Sequence, residues 1–169
     1  ASIATFITIL AGFFIVSAAR FSKNTWFSRI ASLGYAIPGT VLAIGLMLSL
    51  GALDHAVADF LEFQLGISTG LLFLGTSFTL IYAYAVRFLA ISIGSIESGY
   101  NRIHGVLDDA ARNLGQNKRG ILWAVHLPLL RPAIISAALL IFVDCMKELP
   151  ATLLLRPMNM ETLATQLYA

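Results

Sequence analysis

Asp109-Ala110-Ala111-Arg112-Asn113-Leu114-Gly115-Gln116-Asn117-Lys118-Arg119-Gly120-Ile121-Leu122-Trp123-Ala124-Val125-His126-Leu127-Pro128 is the stretch that decides the fold. It is rich in charge, yet it lies between runs apolar enough to dissolve in lipid. Asp108 and Asp109 stand at the start of a helical segment, Val106 to Gly115, where carboxylates complement the helix dipole; Arg112 stands near its end. Ala110, Ala111 and Leu114 give this helix a small, apolar face, and Gly115 has the position of a terminating C′ glycine. Gln116 to Gly120 reads as a polar turn. Ile121 to Leu130 begins a second amphipathic stretch, broken by Pro128 and Pro132 at the membrane boundary. The pattern predicts a short helix lying across one membrane face and continued into a spanning helix.

Outward from this stretch, the chain is lipid-soluble. It is 58% hydrophobic and 12% charged, where soluble domains average about 25% charged residues. Mean hydropathy is +0.83. Ala1 to Ala19 carries no charge and is long enough to span, given that about 20 apolar residues suffice. Ile30 to Leu53 is a second uncharged run, about 36 Å long as helix. Phe63 to Val86 is a third, continuing past Arg87 to Ile96. Pro132 to Val143 is a shorter fourth, interrupted by Asp144. It spans if Asp144, Lys147 and Glu148 lie near its far end or face the bundle interior. The expected fold is therefore all-α, a polytopic transmembrane helical bundle in the lipid bilayer.

The loops set its orientation. Arg20, Lys23 and Arg29 mark a cytoplasmic loop, and so do Arg102, Arg112, Lys118, Arg119 and Arg131. Asp54, Asp59 and Glu62 without Lys or Arg mark an outer one. The signs alternate as the intervening spans require, which puts both chain ends outside. The first 19 residues lack a basic segment, so no signal peptide is expected. The Ala-Ser-Ile start is read as the beginning of an internal fragment. Gly34, Gly39, Ala43 and Gly45 in the second run invite close helix packing, and Pro38 is expected to bend that helix.

Composition also excludes classes. A formal net charge of +2, with no basic cluster interleaved with aromatics, argues against nucleic acid. A single cysteine, Cys145, allows no internal disulfide, and its expected place is the apolar interior. His55 and His104 fall in loops on opposite sides, so no metal cluster is expected. Gly115 and Gly120 have the spacing of a phosphate-binding loop, but Ile121 and Leu122 stand where Lys and Ser/Thr are required. ATP is therefore not expected to bind here. His126 is expected at an interface. Arg87 is expected toward the cytoplasmic end of its helix, snorkelling or paired with a loop acid. Trp26 and Tyr100 suit the aromatic belts.

The stretch resembles the cytoplasmic loop of permease subunits of binding-protein-dependent (type I) ABC importers. That loop reads Glu-Ala-Ala, three residues, Gly, nine residues, Ile, one residue, Leu-Pro. Here Asp109-Ala110-Ala111, Gly115, Val125 and Leu127-Pro128 keep every spacing, with Asp for Glu and Val for Ile. Lys147-Glu148-Leu149-Pro150-Ala151-Thr152-Leu153-Leu154-Leu155-Arg156-Pro157, Thr162 to Thr165, and Gly34 to Ala43 are similar to the ferric-iron branch. Permeases for thiamine and aminophosphonates share much of this pattern.

The resemblance implies that residues 1–169 are part of one permease domain, in the second half of a longer chain. The spans would be about 1–19, 30–53, 63–93 and 132–150, and the coupling loop about 97–131. It implies docking on cytoplasmic ATP-binding subunits through Asp109, Ala110, Ala111 and Gly115, with Arg112, Lys118 and Arg119 at the rim and Leu127-Pro128 completing the motif. A periplasmic substrate-binding protein and a second permease half or subunit would be the other partners. ATP and magnesium would sit on the partner, and this chain would hold no cofactor and no catalytic residue. The location would be the bacterial inner membrane.

Asp144 and Glu148 are the intramembrane carboxylates, and such groups are functional-site candidates for a translocation path. A structural reading stands beside this one. Asp144 and Lys147 at i, i+3 can neutralise each other, and Glu148 can cap or pair at the outer rim. Two other classes compete. An ATP-independent secondary transporter needs charges along a path or broken helices in repeated halves; here only Arg87 and the Asp144 cluster are on offer. An intramembrane enzyme needs a nucleophile with its base or paired aspartates, and neither is found.

Overall fold

The computed structural model describes residues 1–22, 26, 30, 32–66, 70–157 and 165–166. In chain order the elements are α1 (Ser2–Ser22), a 3-10 turn (Ser32–Ala36), α2 (Gly39–Leu65) and α3 (Ser77–Asn101). Then come α4 (Gly105–Asn113), α5 (Lys118–Ile121), a π turn (Leu122–His126), α6 (Leu127–Lys147) and α7 (Pro150–Leu155). No strand occurs among the described residues. α5, the π turn and α6 run on as one helical rod of 30 residues. That rod, α1, α2 and α3 are four helices long and apolar enough to cross a membrane. The chain is an all-α, multi-pass membrane bundle.

α1 shows how such a helix packs. Its buried positions include Ala4, Thr8, Gly12 and Val16, one turn apart, while Phe6, Leu10 and Phe14 are exposed. Ala4, Thr8 and Gly12 let the inner face pack closely around Ile9, Phe13 and Val16, and large apolar side chains face outward as well, which a water-soluble helix avoids. In lipid no hydrophobic gain separates the two faces, so association rests on close packing and on hydrogen bonds. α3 is the central helix, with α1 and α6 packed along it. One buried cluster joins Leu80, Tyr84 and Phe88 of α3 to Ala4 and Ile9 of α1 and to Ala137, Ile141 and Cys145 of α6. A second, toward the end of the bundle that carries Arg20 and Arg102, joins Ile93, Ile96 and Tyr100 to Phe13, Val16 and Leu130. Cys145 thus lies in the apolar interior.

Several boundaries differ from the sequence expectation, each for a physical reason. Pro38 does not bend a continuing helix; it precedes one. With φ −55° and ψ 139° it is extended, and α2 begins at Gly39 after it. Proline lacks the N–H a helix interior needs, so the 3-10 turn and α2 are separate pieces instead of one span over 30–53. α2 then continues through Asp54, Asp59 and Glu62, which were read as an outer loop. Asp54 is fully buried, and its carboxylate accepts the backbone N–H groups of Leu72, Phe73 and Leu74 at 2.8–3.2 Å. Those bonds satisfy the charge and tie down the loop leading into α3, which therefore starts at Ser77 and not at Phe63. The fourth span enters earlier than Pro132, because the rod runs on from the π turn through Pro128 and Pro132 without breaking at either. It ends at Lys147. Lys23, Arg29 and Thr162 to Ala164 lie outside the described residues.

Candidate functional site

The polar stretch forms α4, a nine-residue helix one residue longer at its start than expected. Gly115 ends it with φ +80°. The Gln116 N–H bonds the Ala111 carbonyl at 3.0 Å and the Gly115 N–H bonds that of Arg112 at 2.9 Å. These are the two bonds of a Schellman motif, and the left-handed backbone is what favours glycine at that position. Asn117 then caps α5, its side chain accepting the Gly120 N–H at 2.8 Å.

Of the nine residues in α4, only Asp108 and Ala111 are buried. Asp108 is the centre of a hydrogen-bonded chain across four elements. Its Oδ1 lies 2.7 Å from His126 Nε2 in the π turn. Its Oδ2 accepts from Arg20 Nη2 at 3.1 Å and Nε at 3.3 Å. His126 Nδ1 lies 3.2 Å from the Tyr100 hydroxyl, which lies 2.8 Å from Ser17 Oγ. With a proton on Nε2, His126 donates to Asp108, while its Nδ1 pairs with the Tyr100 hydroxyl, which pairs in turn with Ser17. Arg20 also donates to the Tyr100 carbonyl at 3.3 Å and the Ile103 carbonyl at 3.1 Å. It thereby ties α1 to the end of α3, where the Tyr100 carbonyl also accepts the Ile103 N–H at 2.9 Å. Phe21 stacks on His126 with ring centroids 5.6 Å apart, and Tyr100 meets it edge-on at 5.0 Å.

Burial pushes the Asp108 carboxyl up, but the His126 hydrogen bond and charge, with the Arg20 guanidinium, outweigh it and hold the group below its ordinary value. An ionised carboxylate with two charge-assisted donors is the expected state. Leaving it unpaired would cost several kcal/mol, on the order of 3–5.

The sequence-derived residues divide around this node. Asp109, Ala110, Arg112, Gly115, Lys118 and Arg119 are exposed, and Asp109 pairs with Arg112 at 3.0 Å within α4. Val106, Leu107 and Leu114 join them on the outside, at 74%, 44% and 82% exposure. Ala111 faces inward. Leu127 is half-buried and Pro128 exposed, both on the spanning rod. His126, expected at an interface, is fully buried, and Tyr100 points into the bundle, not at an aromatic belt.

A second polar contact lies deeper in the bundle. Glu148, just after α6, pairs with Arg87 at 3.2 Å, and Arg87 Nη1 donates to the Ile37 carbonyl at 2.8 Å. Arg87 is near the middle of α3 and pairs with the end of a spanning helix, not with a loop acid. Gly39 covers the pair: a Cβ there would stand 2.3 Å from Glu148 Oε1. Glu148 Oε1 and Arg87 Nε have no hydrogen-bond partner among the described residues. Tyr84 donates to Thr152, which donates to the Glu148 carbonyl, closing the break between α6 and α7. Asp144 is half-buried, and the ion pairs of the described residues do not join it to Lys147. No group of three or more His, Cys, Asp or Glu among the described residues is placed to hold a metal.

Sequence reasoning passed over Asp108, His126, Arg20, Tyr100 and Ser17 as a unit. A histidine two residues before a proline and a basic residue closing an uncharged helix were the available signals. Their partners stand 18 to 88 residues away in sequence.

The fold and this end of it define a polytopic membrane protein with a helix held outside the spans. No family model matches the chain. It is similar over most of its length to permease proteins of ferric-iron transport, as the motif resemblance implied. The Fe(3+)-transport system permease protein FbpB 2 of Haemophilus influenzae is 28% identical over 82% of this chain and 24% of its own length. The putative ferric transport system permease protein FbpB 1 of the same organism is 27% identical, over 92% of this chain and 24% of itself. The ferric transport system permease protein FbpB of Actinobacillus pleuropneumoniae is 25% identical, over 92% and 21%. The chain spans about a quarter of the length of these relatives.

Proposed function

We propose that the chain is part of the transmembrane permease of an ATP-driven ABC importer for ferric iron in the bacterial inner membrane. The carrying observation is α4. It lies outside the spans, exposes Val106, Leu107 and Leu114, and keeps its inner face bonded to the bundle. An apolar surface rimmed by Asp109, Arg112, Lys118 and Arg119 is what a protein partner covers. The spacing from Asp109 to Pro128 supports an ATP-binding subunit as that partner, and the names of the relatives support ferric iron as cargo. In this reading the exposed residues, with Ala110 and Gly115, dock on the ATPase. Ala111 supports them from within, and Leu127-Pro128 leads motion into the spanning rod. ATP and magnesium belong to the partner subunit. A periplasmic binding protein delivers iron, a second permease half completes the path, and Asp144 and Glu148 belong to that path.

The test reconstitutes the full permease with its ATPase and periplasmic binding protein in liposomes. Ferric-iron uptake should require ATP. Replacing Gly115 by a bulky residue should reduce both uptake and its coupling to hydrolysis. Uptake that proceeds without the ATPase, or that survives the Gly115 change intact, overturns the reading.

A further inference from the structure

We infer that Asp108 is the positioning residue through which the docking helix holds α1, so that α1 and α6 follow α4 when a partner displaces it. The inference rests on α4 being the docking helix. α4 has turns at both ends, and only Asp108 and Ala111 bury side chains against the bundle. Ala111 offers one methyl group. Asp108 offers three charge-assisted contacts, to Arg20 at the end of α1 and to His126 at the start of the α6 rod. Arg20 in turn grips the last carbonyls of α3. One carboxylate therefore joins the docking helix to three spanning helices.

This differs from transmission along the chain. The sequence joins α4 forward to α6 through Gln116 and Asn117, and backward to α3 through residues 102–104. It offers no covalent route to α1. The Arg20–Asp108 ion pair, 88 residues apart in sequence, supplies a non-covalent one. Asp108 faces away from the docking surface, so its role is separable from partner binding. Substituting it should spare ATPase attachment and loosen the link between hydrolysis and transport.

The experiment uses the full permease with its ATPase and binding protein in liposomes. It measures ATP hydrolysed per iron imported for wild type, Asp108→Asn, Arg20→Gln and the double variant. The expected result is an ATPase that stays bound in wild-type stoichiometry and a ratio raised about tenfold in each single variant. The double variant should be no worse than either single one, because both changes break one clamp. A ratio unchanged in Asp108→Asn, or additive losses in the double variant, overturns the clamp. Loss of ATPase binding in Asp108→Asn also overturns it. A wild-type permease that does not bind the ATPase overturns the docking reading itself.

A second measurement does not depend on any clamp variant folding. Spin labels at Leu10→Cys on α1 and Asn113→Cys on α4 report their separation through the nucleotide cycle. The clamp requires the distance to hold within about 2 Å, the scale of a helix shift, while α4 moves with the ATPase. A larger excursion refutes it.

Discussion

Removing either partner of the Arg87–Glu148 pair should destabilise the bundle, and removing both should restore most of the loss. The two side chains are 18% and 10% exposed, so both charges have left water. Glu148→Leu would leave the Arg87 guanidinium with the Ile37 carbonyl as its described hydrogen-bond partner. Arg87→Met would leave a buried carboxylate already lacking a partner at Oε1. Breaking a buried pair from one side costs about 3–5 kcal/mol, and the residual exposure of Arg87 favours the lower figure. The double variant Arg87→Met/Glu148→Leu removes both desolvation penalties. It should lie within about 1 kcal/mol of wild type, since an incompletely bonded pair contributes little net stability. Denaturant unfolding of the full protein in detergent measures the cycle. Single variants as stable as wild type would show that the charges are not buried against each other. A double variant weaker than both singles would show that the pair is a net source of stability, and would refute the reasoning.

Three further outcomes follow from local geometry. Gly115→Ala should cost about 1–2 kcal/mol through left-handed backbone alone, since nothing stands within 4 Å of the new Cβ; faster hydrogen exchange across α4 would register it. Asp54→Ala should speed exchange at Leu72 to Leu74 on the order of tenfold by removing their acceptor, while leaving α4 unchanged. The Asp108 carboxyl titrates below its ordinary 3.8, so its contribution is fully present above that pH and is lost as acid carries the pH down through the lower folded value. Exchange of α4 amides should rise over that acid window in wild type and stay flat in Asp108→Asn.

What was legible in the sequence was what is encoded locally. Uncharged runs marked the spanning helices, and the end of α4 could be read from Gly115 because a Schellman motif is made by neighbours. Helix limits failed where a distant group changed the cost of a charge. Asp54 read as a loop residue because its acceptors' partners, the N–H groups of Leu72 to Leu74, follow a full turn of the chain later. Arg87 read as a snorkelling residue because Glu148 is remote. His126 gave no hint of Asp108 and Tyr100, whose approach depends on how three helices pack. The spacing from Asp109 to Pro128 singled out residues most of which face outward, Ala111 excepted, and passed over Asp108, whose carboxylate bonds Arg20 and His126.

The Asp54 bonds also bear on how the protein is made. The carboxylate sits just past the middle of α2, among residues that must enter the membrane, and its three backbone donors lie 18 to 20 residues further along. When α2 leaves the ribosome, that carboxylate has no donor for its charge, and its insertion is opposed until the turn before α3 has emerged. α2 and the turn therefore enter most easily as one hairpin, and a translational pause between them would expose the helix at its least soluble moment.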